Sequence, residues 1–210
     1  MTVTALELEA SNGGVRVRID GQPFATVATH DVAELGLAPG RTITDAQAQE
    51  LSRRADVHAA RAVGLRLLSG RALPTREVSR RLLRRGLPRV AVETAVAELA
   101  ASGLLDDAEF ARHYARTRAR RRLGAGRLLS DLKRLGVEDR LAQAAVTEAL
   151  EVEGVDQREL LREAAARKLK SLSGLDRDKR MRRLRAYLLR RGFSSSEVRD
   201  VLRDAIPKSA

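Results

Sequence analysis

Arginine is the residue type through which this chain can act on something else. Arg84, Arg134 and Arg190 each stand two residues before a glycine. At about 100° per residue they lie across the helix from the apolar positions that share it. Arg80, Arg81 and Arg85 gather round the first, and Lys133 sits beside the second. Arg112, Arg116 and Arg120, spaced by four, form a ridge on a neighbouring helix, and the C-terminal part adds Lys168, Lys170, Lys179, Arg182, Arg183 and Arg185. A guanidinium is a planar fork that meets phosphate or carboxylate oxygens in pairs. A face of such groups can follow a polyanion backbone or an acidic protein groove. Any one exposed arginine is equally well a solvated helix face, but the whole excess is not. The candidate contact set is Arg80, Arg84, Arg112, Arg116, Arg120, Arg134, Lys179, Arg182, Arg183 and Arg190.

Other chemistries find little support. His30, His58 and His113 fall in different elements, and none has neighbours patterned for a metal or a catalytic triad. Asp106-Asp107 could suggest a paired-carboxylate site, but capping of a helix start accounts for it, with Glu109 three residues on from Asp106 as in a capping box. Gly124-Ala125-Gly126 has no lysine behind it and cannot serve as a nucleotide-binding loop. With no cysteine there are no disulfides or thiolate metal sites. No enzyme, cofactor or metal site is expected. Phe110, Tyr114, Tyr187 and Phe193 occupy seam or cap positions and are expected in the core. That leaves few rings for base stacking, so any nucleic-acid contact should be sequence-neutral and made to phosphates.

The elements that must position these arginines are helical. Aromatics are 2% of the 210 residues, so the core must be Leu, Val and Ala, which favours helices over a sandwich or barrel. The formal charge of +12 points to an anionic partner. Residues 1–57 hold five Arg and eight acids, a balance of −3, so the other +15 lies in 58–210 and marks a boundary. No apolar run approaches the roughly 20 residues of a membrane span, and nothing resembles a signal peptide, so a cytoplasmic protein is expected.

Residues 1–12 show no strong pattern, a weak strand at most. Val15 to Ile19 alternates apolar and basic, Asp20-Gly21 is a hairpin signal, and Phe24 to Val27 returns as the partner, with Pro23 marking an edge. A short helix from His30 to Leu37 should close at Gly36 or Gly40, and Thr44 with Gln47 should cap another through Leu51.

From His58 the chain is threefold. Gly86, Gly136 and Gly192 are the anchors. Val78, Leu128 and Leu184 stand eight residues before them, and Leu82, Leu132 and Leu188 four before. These pairs form the buried seam of a middle helix. Leu87, Val137 and Phe193 follow the glycines and suit the apolar contact beside a helix C-cap. Val92, Ala142 and Val198, then Val96, Val146 and Leu202, place one face of a third helix in the same core. Ser194 and Glu197 form a capping box for the last of these helices. The expected helices are 58–70, 75–86 and 88–101; 106–123, 126–136 and 138–150; and 156–172, 177–191 and 195–205.

Gly103-Leu104-Leu105-Asp106-Asp107, then Phe110-Ala111 and Tyr114, followed by an Arg-rich helix and a short helix ending in Gly136, resembles the RecX family of bacterial regulators of the RecA recombinase. Leu35 to Gly40 also resembles a turn in the leader of that family. The resemblance covers nearly the whole chain and implies tandem three-helix repeats in an elongated, curved solenoid, mainly α, behind a small hairpin leader. The corresponding segments are 1–57 for the leader and 58–104, 105–153 and 154–210 for the repeats. It further implies a monomeric, non-enzymatic inhibitor lying in the groove of a RecA–DNA filament and blocking extension, ATP hydrolysis and strand exchange. Contact with single- or double-stranded DNA would be secondary, and no membrane is involved. One departure stands out: family members usually carry Tyr-Gly-Pro where this chain has Leu123, Gly124 and Ala125, so a looser turn is expected there. A stand-alone helical DNA-binding protein of helix-turn-helix type is the alternative, since short helices joined at glycine look similar.

Overall fold

The computed structural model of the chain describes residues 1–9, 13–121 and 123–205. Residues 10–12, Arg122 and 206–210 fall within the expected leader, the expected 106–123 helix and the third repeat segment, and lie outside the described residues. The chain divides into two compact units, Met1–Asp106 and Asp107 onward. It is mainly α, with one small sheet at the N-terminus.

In the first unit, strands β1 (Val3–Glu9), β2 (Gly14–Ile19) and β3 (Gln22–Ala28) form an antiparallel sheet in the order β1-β2-β3. Asp20 and Gly21 both adopt positive φ, 48° and 79°, as the tight hairpin turn requires. Pro23 sits on an edge strand, where its missing N–H is tolerated. β1 is firmer than the sequence suggested. Its alternation is obscured because a bulge between Val3 and Ala5 shifts the register, so that Val3 and Leu6, three residues apart, both reach the core. Helix α1 (Thr29–Glu34) leads to a turn in which Gly36 has φ of 58°.

Thr44 caps helix α2 (Asp45–Ser69) as expected. The Gln47 N–H donates to its hydroxyl at 3.2 Å, and its own N–H donates to the Gln47 side chain at 3.0 Å. The two helices expected to end at Leu51 and to begin at His58 are one continuous helix. No glycine or proline lies between those residues, and the shift in charge there has no counterpart in the backbone. Leu51 packs with Val3, Val17, Val27 and Ile43 of the sheet side. Two turns of helix further on, the His58 imidazole is buried, and a Cβ on Gly14 of β2 would lie 2.6 Å from its Nε2. Burial pushes the imidazole below its ordinary value of 6.5, with Arg61 adding to the effect and Asp31 opposing it.

Each repeat has its own core. Helices α3 (Thr75–Leu83) and α4 (Arg89–Ala101) complete the first repeat against the C-terminal half of α2. The second comprises α5 (Asp107–Ala119), α6 (Ala125–Leu135) and α7 (Asp139–Val152). The third comprises α8 (Gln157–Lys170), α9 (Arg177–Arg190) and α10 (Ser195–Ala205). All six seam residues, Val78, Leu82, Leu128, Leu132, Leu184 and Leu188, are fully buried. Gly86, Gly136 and Gly192 have φ of 81°, 95° and 89°. After α6 the Val137 N–H donates to Leu132 O and the Gly136 N–H to Lys133 O. Phe193 and Gly192 repeat this pairing after α9 with Leu188 and Leu189. Both are the left-handed cap in which an apolar residue after the glycine folds back on the seam.

Two tests follow from this packing. Leu132 has no accessible surface, so Leu132→Ala should lower the unfolding free energy by about 2–5 kcal/mol in urea titration. Unfolding at the wild-type midpoint would place Leu132 on the surface. His58 gives a pH test. Above about 6.5 both folded and unfolded chains carry it neutral, and its stabilisation is fully present. As pH falls below that value the unfolded chain takes the proton first, and stability drops until the lowered folded pKa is reached. His58→Gln should flatten the decline between pH 7.5 and about 5.5 in thermal melts; parallel curves would assign the titration elsewhere.

Candidate partner and nucleic-acid interface

The ten candidate contact residues divide into two groups by what they touch. Arg80 is hydrogen-bonded to Glu77, Arg112 to Glu109 at 2.8 Å, and Arg120 to Glu153 at 3.0 Å. Arg134 reaches Asp131 at 2.8 Å, and Lys179 reaches Asp176 at 3.0 Å. Arg84, Arg116, Arg182, Arg183 and Arg190 are exposed, and among the described residues none has a carboxylate partner within ion-pair distance. The ridge on α5 is thus less free than its sequence spacing implied. Glu109 and Glu153 come from α5 itself and from the end of α7, and the spacing along α5 gives no sign of Glu153.

Two of these carboxylates are buried, and each holds a pair of arginines. Glu77, 6% exposed, accepts from Arg80 and from Arg81 Nε at 2.7 Å. Burial pushes its carboxyl up, but the Arg81 hydrogen bond and the charges of Arg80 and Arg81 outweigh this and hold it below its ordinary range. Asp131, also 6% exposed, accepts from Arg127 Nε at 3.1 Å and from Arg134. A buried carboxylate between two guanidiniums fixes where both forks point.

Arg134 and Arg190, equivalent positions in the second and third repeats, line a single groove of about 480 Å3. It is walled by α5, α6 and α9 within the second unit. The groove exists because the two repeats are joined through their backbones. The Gly124 N–H donates to Arg191 O at 3.0 Å, the Gly126 N–H to Gly192 O at 3.0 Å, and the Ala125 N–H to the Gln157 side chain at 2.9 Å. A Cβ at Gly124 or Gly126 would approach the Gly192 carbonyl at 2.8 or 2.7 Å, closer than real side chains come. The turn expected to be loose is therefore pinned. Glycine at both ends admits a neighbouring backbone that a bulkier turn would exclude.

Two segments match models of the RecX family: residues 106–146 match its second three-helix domain and residues 156–202 its third. Regulatory protein RecX of Streptomyces coelicolor is 38% identical over 159 residues, 73% of this chain and 80% of that protein. The namesake from Amycolatopsis mediterranei is 31% identical over 141 residues, 67% of this chain and 79% of that protein. The chain belongs to the RecX family. A crystal structure of regulatory protein RecX, 22% identical, shares the fold over 97% of this chain and 98% of its own, with a TM-score of 0.76. The RecX of Lactobacillus salivarius aligns over 71% of this chain and 96% of its own, with a TM-score of 0.56.

RecX proteins carry a regulatory name, and a regulatory role is what membership supports here. Among the described residues of this RecX chain, no three His, Cys, Asp or Glu stand close enough to hold a metal ion. No described helix is long and apolar enough to cross a membrane.

The aromatic residues meet the core expectation in part: Phe110, Tyr114 and Tyr187 are half-buried and packed against the cores of their repeats. Phe193 is buried, and Tyr114 and Tyr187 both also face the inter-repeat groove. Arg118 lies with its Cζ 3.7 Å above the Tyr114 ring centre. Arg191 lies 5.7 Å from the Tyr187 ring centre and donates to its hydroxyl at 2.9 Å. The signal was available: an arginine follows each tyrosine by four residues, the spacing that brings a guanidinium over a ring on one helix face.

The pinned turn gives a differential test. Gly86→Ala meets open space and should cost about 1–2 kcal/mol for positive φ alone. Gly192→Ala has the same φ penalty and also drives a Cβ into the Arg127 backbone, so its loss in a denaturant titration should be clearly larger. Equal losses would mean that the repeats are not held together at this point.

Proposed function

We propose that this protein is a non-enzymatic inhibitor of the RecA recombinase, bound in the groove of the RecA–DNA filament through its basic residues. Membership of the RecX family supports the choice of partner. The observation that carries the mode of binding is the set of exposed arginines without carboxylates: Arg84, Arg116, Arg182, Arg183 and Arg190. Such groups have no ion pair to break before meeting a phosphate or carboxylate arriving from outside, although Glu153 and Asp176 lie within electrostatic reach of Arg116 and Arg182. In this reading the segments 58–104, 105–153 and 154–210 act as three binding modules, with 1–57 as a leader bound to the first. Contacts from successive modules bridge neighbouring RecA subunits, which blocks extension of the filament and lowers ATP hydrolysis and strand exchange. DNA contact is secondary and sequence-neutral, and the active species is a monomer.

The deciding measurement is RecA ATPase on single-stranded DNA with this protein at sub-stoichiometric and equal ratios. Inhibition is expected; unchanged hydrolysis at every ratio would sink the proposal. A salt-dependent affinity for duplex DNA with marked sequence preference would instead favour a stand-alone DNA-binding protein.

The ion pairs predict which arginines matter most. Arg84→Ala, Arg182→Ala and Arg183→Ala together should leave the melting behaviour nearly unchanged, since exposed substitutions usually stay within about 0.5 kcal/mol each. They should weaken binding to RecA–DNA filaments at least tenfold, about 1.4 kcal/mol. The triple change Arg112→Ala, Arg116→Ala and Arg120→Ala should weaken it less, because Glu109 and Glu153 already engage two of the three. The reverse order would make the α5 ridge the principal contact.

A further inference from the structure

The groove between the second and third repeats has a composition that polyanion tracking does not require. Five arginines line it, Arg118, Arg127, Arg134, Arg190 and Arg191, against the single carboxylate of Asp131, a formal balance of +4. Two tyrosine rings from different repeats share the same walls. Asp131 is taken up by Arg127 and Arg134, so it fixes two guanidiniums in place. Arg118 and Arg190 have no carboxylate partner among the described residues. The volume, about 480 Å3, falls within the roughly 300–1,000 Å3 of pockets that enclose small ligands.

We infer that this groove is a binding site for single-stranded DNA, in which unpaired bases stack on the Tyr114–Arg118 platform and against the Tyr187 ring while Arg127, Arg134 and Arg190 hold the phosphates. The choice of DNA as the nucleic acid rests on the RecA reading above; the choice of a single strand rests on the groove. The Arg118 guanidinium lying on the Tyr114 ring presents a flat cationic surface, and the Tyr187 ring has the Lys168 ammonium 5.5 Å from its centre; bases stack on such surfaces whatever their identity. In a duplex the base faces are stacked on one another and cannot reach a ring at the bottom of a groove. An acidic peptide would use the arginines but has no flat group for the two rings. The Tyr187 hydroxyl, held by Arg191, keeps its ring from turning away. Burial raises the Tyr114 phenol above its ordinary pKa, against the opposing charge of Arg118. The backbone hydrogen bonds from Gly124 and Gly126 to Arg191 and Gly192 keep both rings in one groove before any ligand arrives.

Fluorescence anisotropy with the full chain tests this, using a labelled oligothymidylate, an abasic strand of equal length and phosphate number, and a duplex. Stacking predicts that the abasic strand binds at least fivefold more weakly than oligothymidylate, the lower end of what one stacked base contributes. Tyr114→Leu and Tyr187→Leu should each weaken oligothymidylate binding by a similar factor without changing its salt dependence, whereas Tyr187→Trp should retain it. Arg190→Ala should make the salt dependence shallower. Equal affinity for the abasic strand overturns the inference, as does wild-type affinity in both leucine variants. The abasic comparison uses the unaltered protein, so it decides the matter even if a tyrosine variant fails to fold. Tyrosine-dependent binding of an oligoglutamate at the same affinity would assign the groove to an acidic protein surface instead, and the inference would fall. Inhibition of RecA ATPase by a protein that shows no preference for bases would leave the proposed function standing and remove this site alone.

Discussion

A residue in the left-handed region after each middle helix sets the geometry of the rest. At Gly86, Gly136 and Gly192 the chain must stop a helix, reverse and start another within a few residues. With φ between 81° and 95°, a position a side chain rarely tolerates, the reversal also returns the next apolar residue to the seam. Val137 and Phe193 are buried for this reason although each lies outside a helix. The third helix then leaves at an angle that brings Val92, Ala142 and Val198 into the same core. Gly192 carries a second constraint. Its carbonyl and that of Arg191 accept from the turn before α6, so the cap of one repeat doubles as the joint to another.

Much of this was legible because the constraint recurs. Apolar positions fixed relative to three glycines outline the seam and caps, and the capping boxes at Thr44 and Ser194 mark two helix starts by their side chains alone. What the sequence could not supply has two physical sources. One is structure made by long-range pairing. β1 is a strand because β2 hydrogen-bonds it, and its own alternation is broken by a bulge. Glu153 neutralises Arg120 from 33 residues away. The other is the joint between repeats, where Gly124 and Gly126 read locally as a loose turn and are in fact sites of close backbone approach. Tyr114 and Tyr187 pack against the cores of their repeats as expected, but at the same joint the helix face that looks internal to one repeat also opens on the groove between two.

The surplus of basic residues has a structural use before it has a binding one. A carboxylate beside an apolar seam is expensive to desolvate, and Glu77 and Asp131 are tolerated because each is bonded to two guanidiniums. Those arginines cannot contribute a full free charge to a partner, but their forks are already oriented. Exposed arginines such as Arg183 and Arg190 have the opposite character: no ion pair to break, with the orientation still to be fixed on binding.

The same two register positions show how the repeats came to differ. Nine and five residues before the glycine, the first repeat has Glu77 and Arg81, and the second has Arg127 and Asp131. Each is an i,i+4 ion pair, with the signs reversed between them. In the third repeat the positions hold Arg183 and Tyr187. Tyrosine replaces the acid, so Arg183 keeps its charge and the ring takes up the space beside the seam. The pair that closes the surface electrostatically in two repeats is left open in the third, and the residue that opens it is the one that presents a ring to the groove. An anionic partner would therefore meet the least internal competition on α9.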